Sequence, residues 1–111
     1  MIPRFTMRQA LDDPLLLGNI LSGPSWECWR VMLIAIMGEA LRDPERAIFA
    51  KFTGRDHEPG QRVEEFAAII GRRGGKDRAM SALMTYLAAC CDYRDVLAPG
   101  ERGLVLCLSG P

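Results

Sequence analysis

Ile69-Ile70-Gly71-Arg72-Arg73-Gly74-Gly75-Lys76-Asp77 is the stretch whose reading decides the fold. An apolar run, Phe66-Ala67-Ala68-Ile69-Ile70, leads into it, and a helical pattern leaves it at once. Strand, glycine-rich turn, helix is the order of a phosphate-binding loop, in which the free N–H groups of the helix start face an anion. Glycines let the backbone curl around phosphate oxygens, and a lysine places a point charge on the terminal phosphates. The strict pattern is G-x-x-x-x-G-K-[ST], and this stretch departs from it twice. Ile70 stands where the leading glycine belongs, with Gly71 one position late, and Asp77 stands where Ser or Thr would follow the lysine. On these residues alone a second reading stays open: a glycine-rich surface turn with solvated arginines.

Working outward on the C-terminal side, residues 76–92 form the clearest helical pattern. Met80, Leu83, Met84, Leu87, Cys90 and Cys91 share one face, and alanines at 79, 82, 88 and 89 allow close packing on a sheet. A loop over 93–101 turns at Pro99-Gly100, and the apolar run at 103–108 predicts a strand covered on both faces. Joined to a strand over 63–70, this makes one strand, phosphate loop, helix, strand unit, whose right-handed crossover would set the strands parallel. Glu64 and Glu65 resemble a carboxylate pair, but neighbours on a strand point to opposite faces, so they read as exposed.

Towards the N-terminus, Leu15-Leu16-Leu17 with Ile20-Leu21 suggests one short docking helix between Pro14 and the break at Ser22-Gly23-Pro24. Ser25 is a plausible N-cap for a helix over 26–41, whose apolar stripe runs through Trp26, Trp29, Met32, Leu33, Ile36, Met37, Ala40 and Leu41. A stripe at this period is ordinarily core. Asp43-Pro44 starts the next helix, with Asp43 at the N-cap and the proline at its first position; it should bury Ala47, Ile48 and Phe52 and end near Gly54. His57 falls in the polar loop that follows.

At 111 residues, 49% apolar and 25% charged, the chain has the composition of one small globular domain at most. Zero net charge gives no wholesale attraction to nucleic acid or membrane. The four cysteines lack C-x-x-C spacing, so no zinc site is expected, and Cys90-Cys91 read as small core residues of a reducing compartment. The longest apolar run, 31–37, is far short of a membrane span, and no signal peptide is visible.

Four segments taken together carry a resemblance: Ser25-Trp26-Glu27-Cys28-Trp29-Arg30, Phe52-Thr53-Gly54-Arg55, Gly71-Arg72-Arg73-Gly74-Gly75-Lys76, and Leu97-Ala98-Pro99-Gly100-Glu101-Arg102. In this order and spacing the chain, over about residues 22–108, resembles the N-terminal part of the ATPase domain of phage terminase large subunits. These are motors that pump viral DNA into procapsids and cut it with a separate nuclease domain. The family's loops commonly read small-Arg-x-x-Gly-Lys-[Ser/Thr], which residues 71–76 match up to the last position.

The resemblance implies a partial P-loop NTPase-like α/β fold. Residues 1–60 would be a helical lead-in, and 61–111 the first βαβ unit of a parallel sheet, with the Walker A-like loop. It implies ATP and Mg²⁺ as cofactors, held by Gly71, Arg72, Arg73, Gly74, Gly75, Lys76 and Asp77, with the segment 26–30, Trp26 foremost, on the adenine side. Lys76 would contact the β- and γ-phosphates, and Arg72 would stabilise the transferred charge. Asp77 would ligate the metal, since Mg²⁺ favours oxygen ligands, or else it merely suits the helix dipole as a first-turn acid.

Partners in the full-length family are DNA, the portal and the small terminase subunit, with no membrane, in the cytoplasm of a bacterial host. No apolar run ending in Asp-Glu follows for a Walker B motif, nor a nuclease carboxylate cluster, so the expectation is a terminase fragment. Such a chain should expose strand edges, bind ATP weakly or not at all, and be neither an efficient ATPase nor a nuclease. Two alternatives stand beside it. One is a non-catalytic prophage remnant or small interaction protein that docks through helix 26–41. The other is an unrelated P-loop protein such as a small kinase.

Overall fold

The chain is described by a computed structural model, which covers residues 2–63, 65–68, 70 and 75–100. The described residues contain four α-helices: α1 (Met7–Asp12), α2 (Glu27–Ile36), α3 (Asp43–Thr53) and α4 (Lys76–Ala89). Two short strands, β1 (Ile2–Pro3) and β2 (Cys91–Asp92), pair antiparallel, with Ile2 opposite Asp92 and Pro3 opposite Cys91. Met7, Leu33, Phe49, Tyr86 and Cys90 belong to one buried cluster, so residues far apart in the sequence share a core.

Capping explains where the helices begin and end. Thr6 and Gln9 form a reciprocal capping box at the start of α1. The carboxylate of Glu39, far along the chain, also accepts from the backbone N–H groups of Met7 and Arg8. An anion is favoured at that helix end. The helix suggested by Leu15-Leu16-Leu17 lies earlier, at α1, and the residues after it form turns. Leu17 and Leu21 are still buried, while Leu15 is 92% exposed. Arg30 reaches back to the Leu21 carbonyl at 2.7 Å and ties these turns to α2.

A short 3₁₀ turn, Pro24–Trp26, precedes α2, which stops at Ile36 rather than continuing to Leu41. Gly38 stops it. Its N–H bonds the Ala35 carbonyl, and the Glu39 N–H bonds that of Ile34, which is a Schellman motif around a left-handed glycine at φ 79°. The chain returns against this corner: the Val63 N–H donates to the Ile36 carbonyl, and Arg62 makes a single bridge with Met37. The strand expected over 63–70 is absent among the described residues there, with Glu64 and Ile69 outside them. The partner strand expected at 103–108 also lies outside the described residues.

The α3 helix ends at left-handed Gly54, as its local signals predict, but it starts one residue early: Arg42 rather than Asp43 is the N-cap, and Pro44 stands at the second helical position. Its buried face differs from the expected one. Phe49 is buried, Ile48 partly, while Ala47 is exposed and Phe52 is 60% exposed. The Arg42 N–H is accepted by Glu45, whose carboxylate also takes two bonds from the Arg8 guanidinium, at 2.6 and 2.8 Å. That fork pins α1 to the head of α3.

On α4 the fully buried residues are Ala79, Ala82 and Tyr86, with Met80, Leu83, Met84 and Leu87 only partly covered. The small alanines let this helix close in on the core. The Tyr86 hydroxyl donates to the Phe5 carbonyl, and burial holds its phenol well above the usual range.

Glu58 anchors the loop after α3. It accepts from Arg46 at 2.9 and 3.3 Å and from the Leu41 N–H. The Arg46 bonds first, then the Leu41 N–H, lower its pKa from 4.5 to about 2. A carboxylate lowered on folding contributes stability above its ordinary pKa and loses it as pH falls through the folded value. Thermal stability should therefore fall as pH drops from about 4.5 to 2. Glu58→Gln should melt lower than the parent at pH 7 and converge with it near pH 2. An equal gap at both pH values would refute this role.

Candidate functional site

The glycine-rich stretch ends at Gly75, which caps α4 in the left-handed conformation, φ 78° and ψ 14°. Only glycine adopts this freely. The backbone there also lies against the head of α2. A Cβ at position 75 would fall within 3.0 Å of the Trp26 ring and 3.5 Å from Nε1 of Trp29. Glycine is thus required twice, by its φ and by tryptophan.

Lys76, Asp77 and Arg78 form the first turn of the 14-residue α4, and all three are exposed. The Arg78 guanidinium lies 5.3 Å from the centre of the Trp26 ring, a cation–π contact. A helix start of this length presents free N–H groups and the positive end of its dipole. With Lys76 and Arg78 beside it, the corner favours an anion. Asp77 contributes a carboxylate that suits the dipole and could meet a cation.

Of the predicted site residues, Trp26, Gly75, Lys76 and Asp77 are described and fall in one corner of the molecule. Gly71, Arg72, Arg73 and Gly74 lie outside the described residues. The two flanks of that stretch nevertheless converge. Gly75 lies beside both tryptophans, and Ile70 lines a groove of about 790 Å³ that Trp29 also lines.

The groove runs between α2, α3 and the described residues from Val63 to Ile70. Met32 and Phe49 belong to its lining, and Phe52 and Phe66 stand at its surface. Sequence reading assigned Trp29 to the core and gave Phe52 and Phe66 no joint role. The three-residue step from Trp26 to Trp29 was the one available signal, since it places both rings on one side of a helix. Cys28 also lines the groove, with its thiol pushed up by burial, which keeps it protonated and poorly nucleophilic.

His57 lies exposed in the loop after α3. Among the described residues no cluster of three His, Cys, Asp or Glu side chains could hold a metal ion unaided. No helix among them is long and apolar enough to cross a membrane. Comparison of the chain with protein-family models, curated proteins and solved structures found no match in any of the three.

Proposed function

We propose that the chain is an N-terminal ATPase segment of a terminase large subunit, binding Mg-ATP at residues 71–77. The observation that carries this reading is the approach of Gly75 to the head of α2, so close to Trp26 that a Cβ would overlap its ring, with Trp29 alongside. It joins the two segments to which the resemblance assigns the phosphates and the base. The exposed first turn of α4 fits the group: N–H groups and Lys76 for phosphate oxygens, and the Asp77 carboxylate for magnesium. Bound magnesium would offset the phosphate charge. Lys76 would hold the β- and γ-phosphates, and Arg72 would stabilise charge on the transferred group.

The rival reading, docking on a partner through α2, fits less well. Val31, Leu33, Ile34, Ala35 and Ile36 of that helix are already buried in the chain's own core.

The chain has two tryptophans, and both lie beside Gly75, so their fluorescence reports on the corner. Because the start of α4 is already formed and exposed beside both tryptophans, weak rather than absent binding is expected: Mg-ATP titrated to millimolar concentration should change the fluorescence saturably, and a flat titration would refute the proposal. The same titration separates the roles of Asp77. As a metal ligand, Asp77→Ser should hold Mg-ATP affinity. Asp77→Ala should lower it by roughly tenfold or more, the usual scale of losses around metal sites. As a helix-dipole residue alone, Asp77→Ala should cost about 0.5–1 kcal/mol of stability. It should then tighten ATP binding by removing a repelling charge, and that result would rule out metal ligation.

A further inference from the structure

The Trp26 ring is engaged twice by the start of α4. The backbone of Gly75 lies against its edge, so close that a Cβ there would overlap Cζ3 and Cη2. Over its face lies the Arg78 guanidinium, 5.3 Å from the ring centre. Residues 75 and 78 are three apart at a helix start, so both present to the same side, where the ring stands. The ring is held from behind as well. It packs against the buried core cluster, and its backbone N–H bonds the Gly23 carbonyl in the 3₁₀ turn before α2. Trp26 thus ties the exposed turn that carries Lys76 and Asp77 to the core.

We infer that Trp26 is a positioning residue for the phosphate chain and takes no part in holding the base. This rests on the reading of residues 71–77 as a phosphate site. Stacking on a base needs an open ring face, and a base on this one would first have to displace the Arg78 guanidinium. What the ring does instead is fix where α4 begins. Gly75 turns left-handed against its edge, and Lys76 and the free N–H groups follow at once, so the ring sets where those donors stand. Binding groups work well only when held to within about 0.5 Å of their productive geometry. The part of the ligand read through Trp26 is accordingly the triphosphate chain, whatever base it carries.

Comparing ATP with inorganic tripolyphosphate tests this, by calorimetric titration of the intact chain with magnesium present. Trp26→Leu should weaken both ligands by the same factor, about tenfold or more, the scale lost when groups that hold a site in place are removed. Trp26→Phe keeps a flat face for Arg78 and should recover most of the loss. In a Lys76→Ala background the leucine substitution should cost much less, because the group it positions is gone. Equal cost in both backgrounds would reduce the change to general destabilisation and overturn the positioning role. Should Trp26→Leu fold poorly, Arg78→Gln at an exposed position decides. Freeing the ring face should leave the ratio of ATP to tripolyphosphate affinity unchanged. A ratio that rises in Arg78→Gln, a loss confined to ATP in Trp26→Leu, or no loss for either ligand there would overturn the role of Trp26 and leave the phosphate site standing. Failure of both ligands to bind the parent chain would overturn the nucleotide reading, and the role of Trp26 with it.

Discussion

Gly38→Ala should be among the most destabilising single substitutions in the chain, costing about 2–5 kcal/mol. Two independent effects add. A side chain in the left-handed region costs roughly 1–2 kcal/mol. In addition, the new Cβ would sit within 3.0 Å of backbone atoms of Gln61 and Arg62, which cannot swing aside as a side-chain tip would. Overpacking of this kind typically costs about 1–3 kcal/mol. The corner links α2 to the returning chain through the Val63 N–H and the Met37–Arg62 bridge, so the damage should spread to the lead-in of the glycine-rich stretch. Gly54→Ala is the control. It shares a positive φ, 72°, but a Cβ there would meet nothing within 4 Å, so it should lose only the conformational part. Denaturant unfolding of both variants checks this, and equal losses would show that the Arg62 contact carries no weight.

The same glycine shows why part of the fold was legible and part was not. α3 and the start of α4 are announced by neighbours in sequence: Asp43-Pro44, Gly54, and Gly75 before Lys76. Gly38 sits inside an apolar pattern that continues through Ala40 and Leu41. Periodicity ran the helix past a residue whose role depends on Arg62, 24 positions away. α1 carried a local signature, Thr6 with Gln9, but its six residues are too short for a stripe, and the nearby leucines drew attention instead.

Strands of two residues have no period to detect, and β1 and β2 lie far apart in the sequence. The buried face of α4 went unread for another reason. Patterns weigh large side chains, whereas burial there follows Ala79 and Ala82, which admit close approach, and Tyr86, whose hydroxyl finds the Phe5 carbonyl. The candidate site divides likewise. Lys76 and Asp77 belong to one short motif, while the groove gathers Trp29, Phe52 and Phe66 from three segments, a proximity that only packing creates.

Lys76→Ala should weaken Mg-ATP binding by roughly 10- to 150-fold, the equivalent of one charge-assisted contact of about 1.5–3 kcal/mol. The chain has only two lysines, and the other, Lys51, lies over the Phe52 ring on α3, so nothing of like kind can substitute. The side chain is exposed at the first position of α4, and the variant should keep the parent's unfolding midpoint and circular dichroism. The loss should also depend on the ligand. A lysine acting at the β- and γ-phosphates is irrelevant to AMP, so AMP should bind parent and variant alike, and the preference for ATP over AMP should collapse. Lys76→Arg keeps the charge but replaces a compact ammonium with a planar fork, and should fall between the two. If the arginines near the loop merely gather anions, Lys76→Ala would weaken every phosphate ligand by a similar small factor, and high salt would abolish binding in parent and variant together. That pattern, or undiminished ATP affinity, would refute Lys76 as the residue that holds the terminal phosphates.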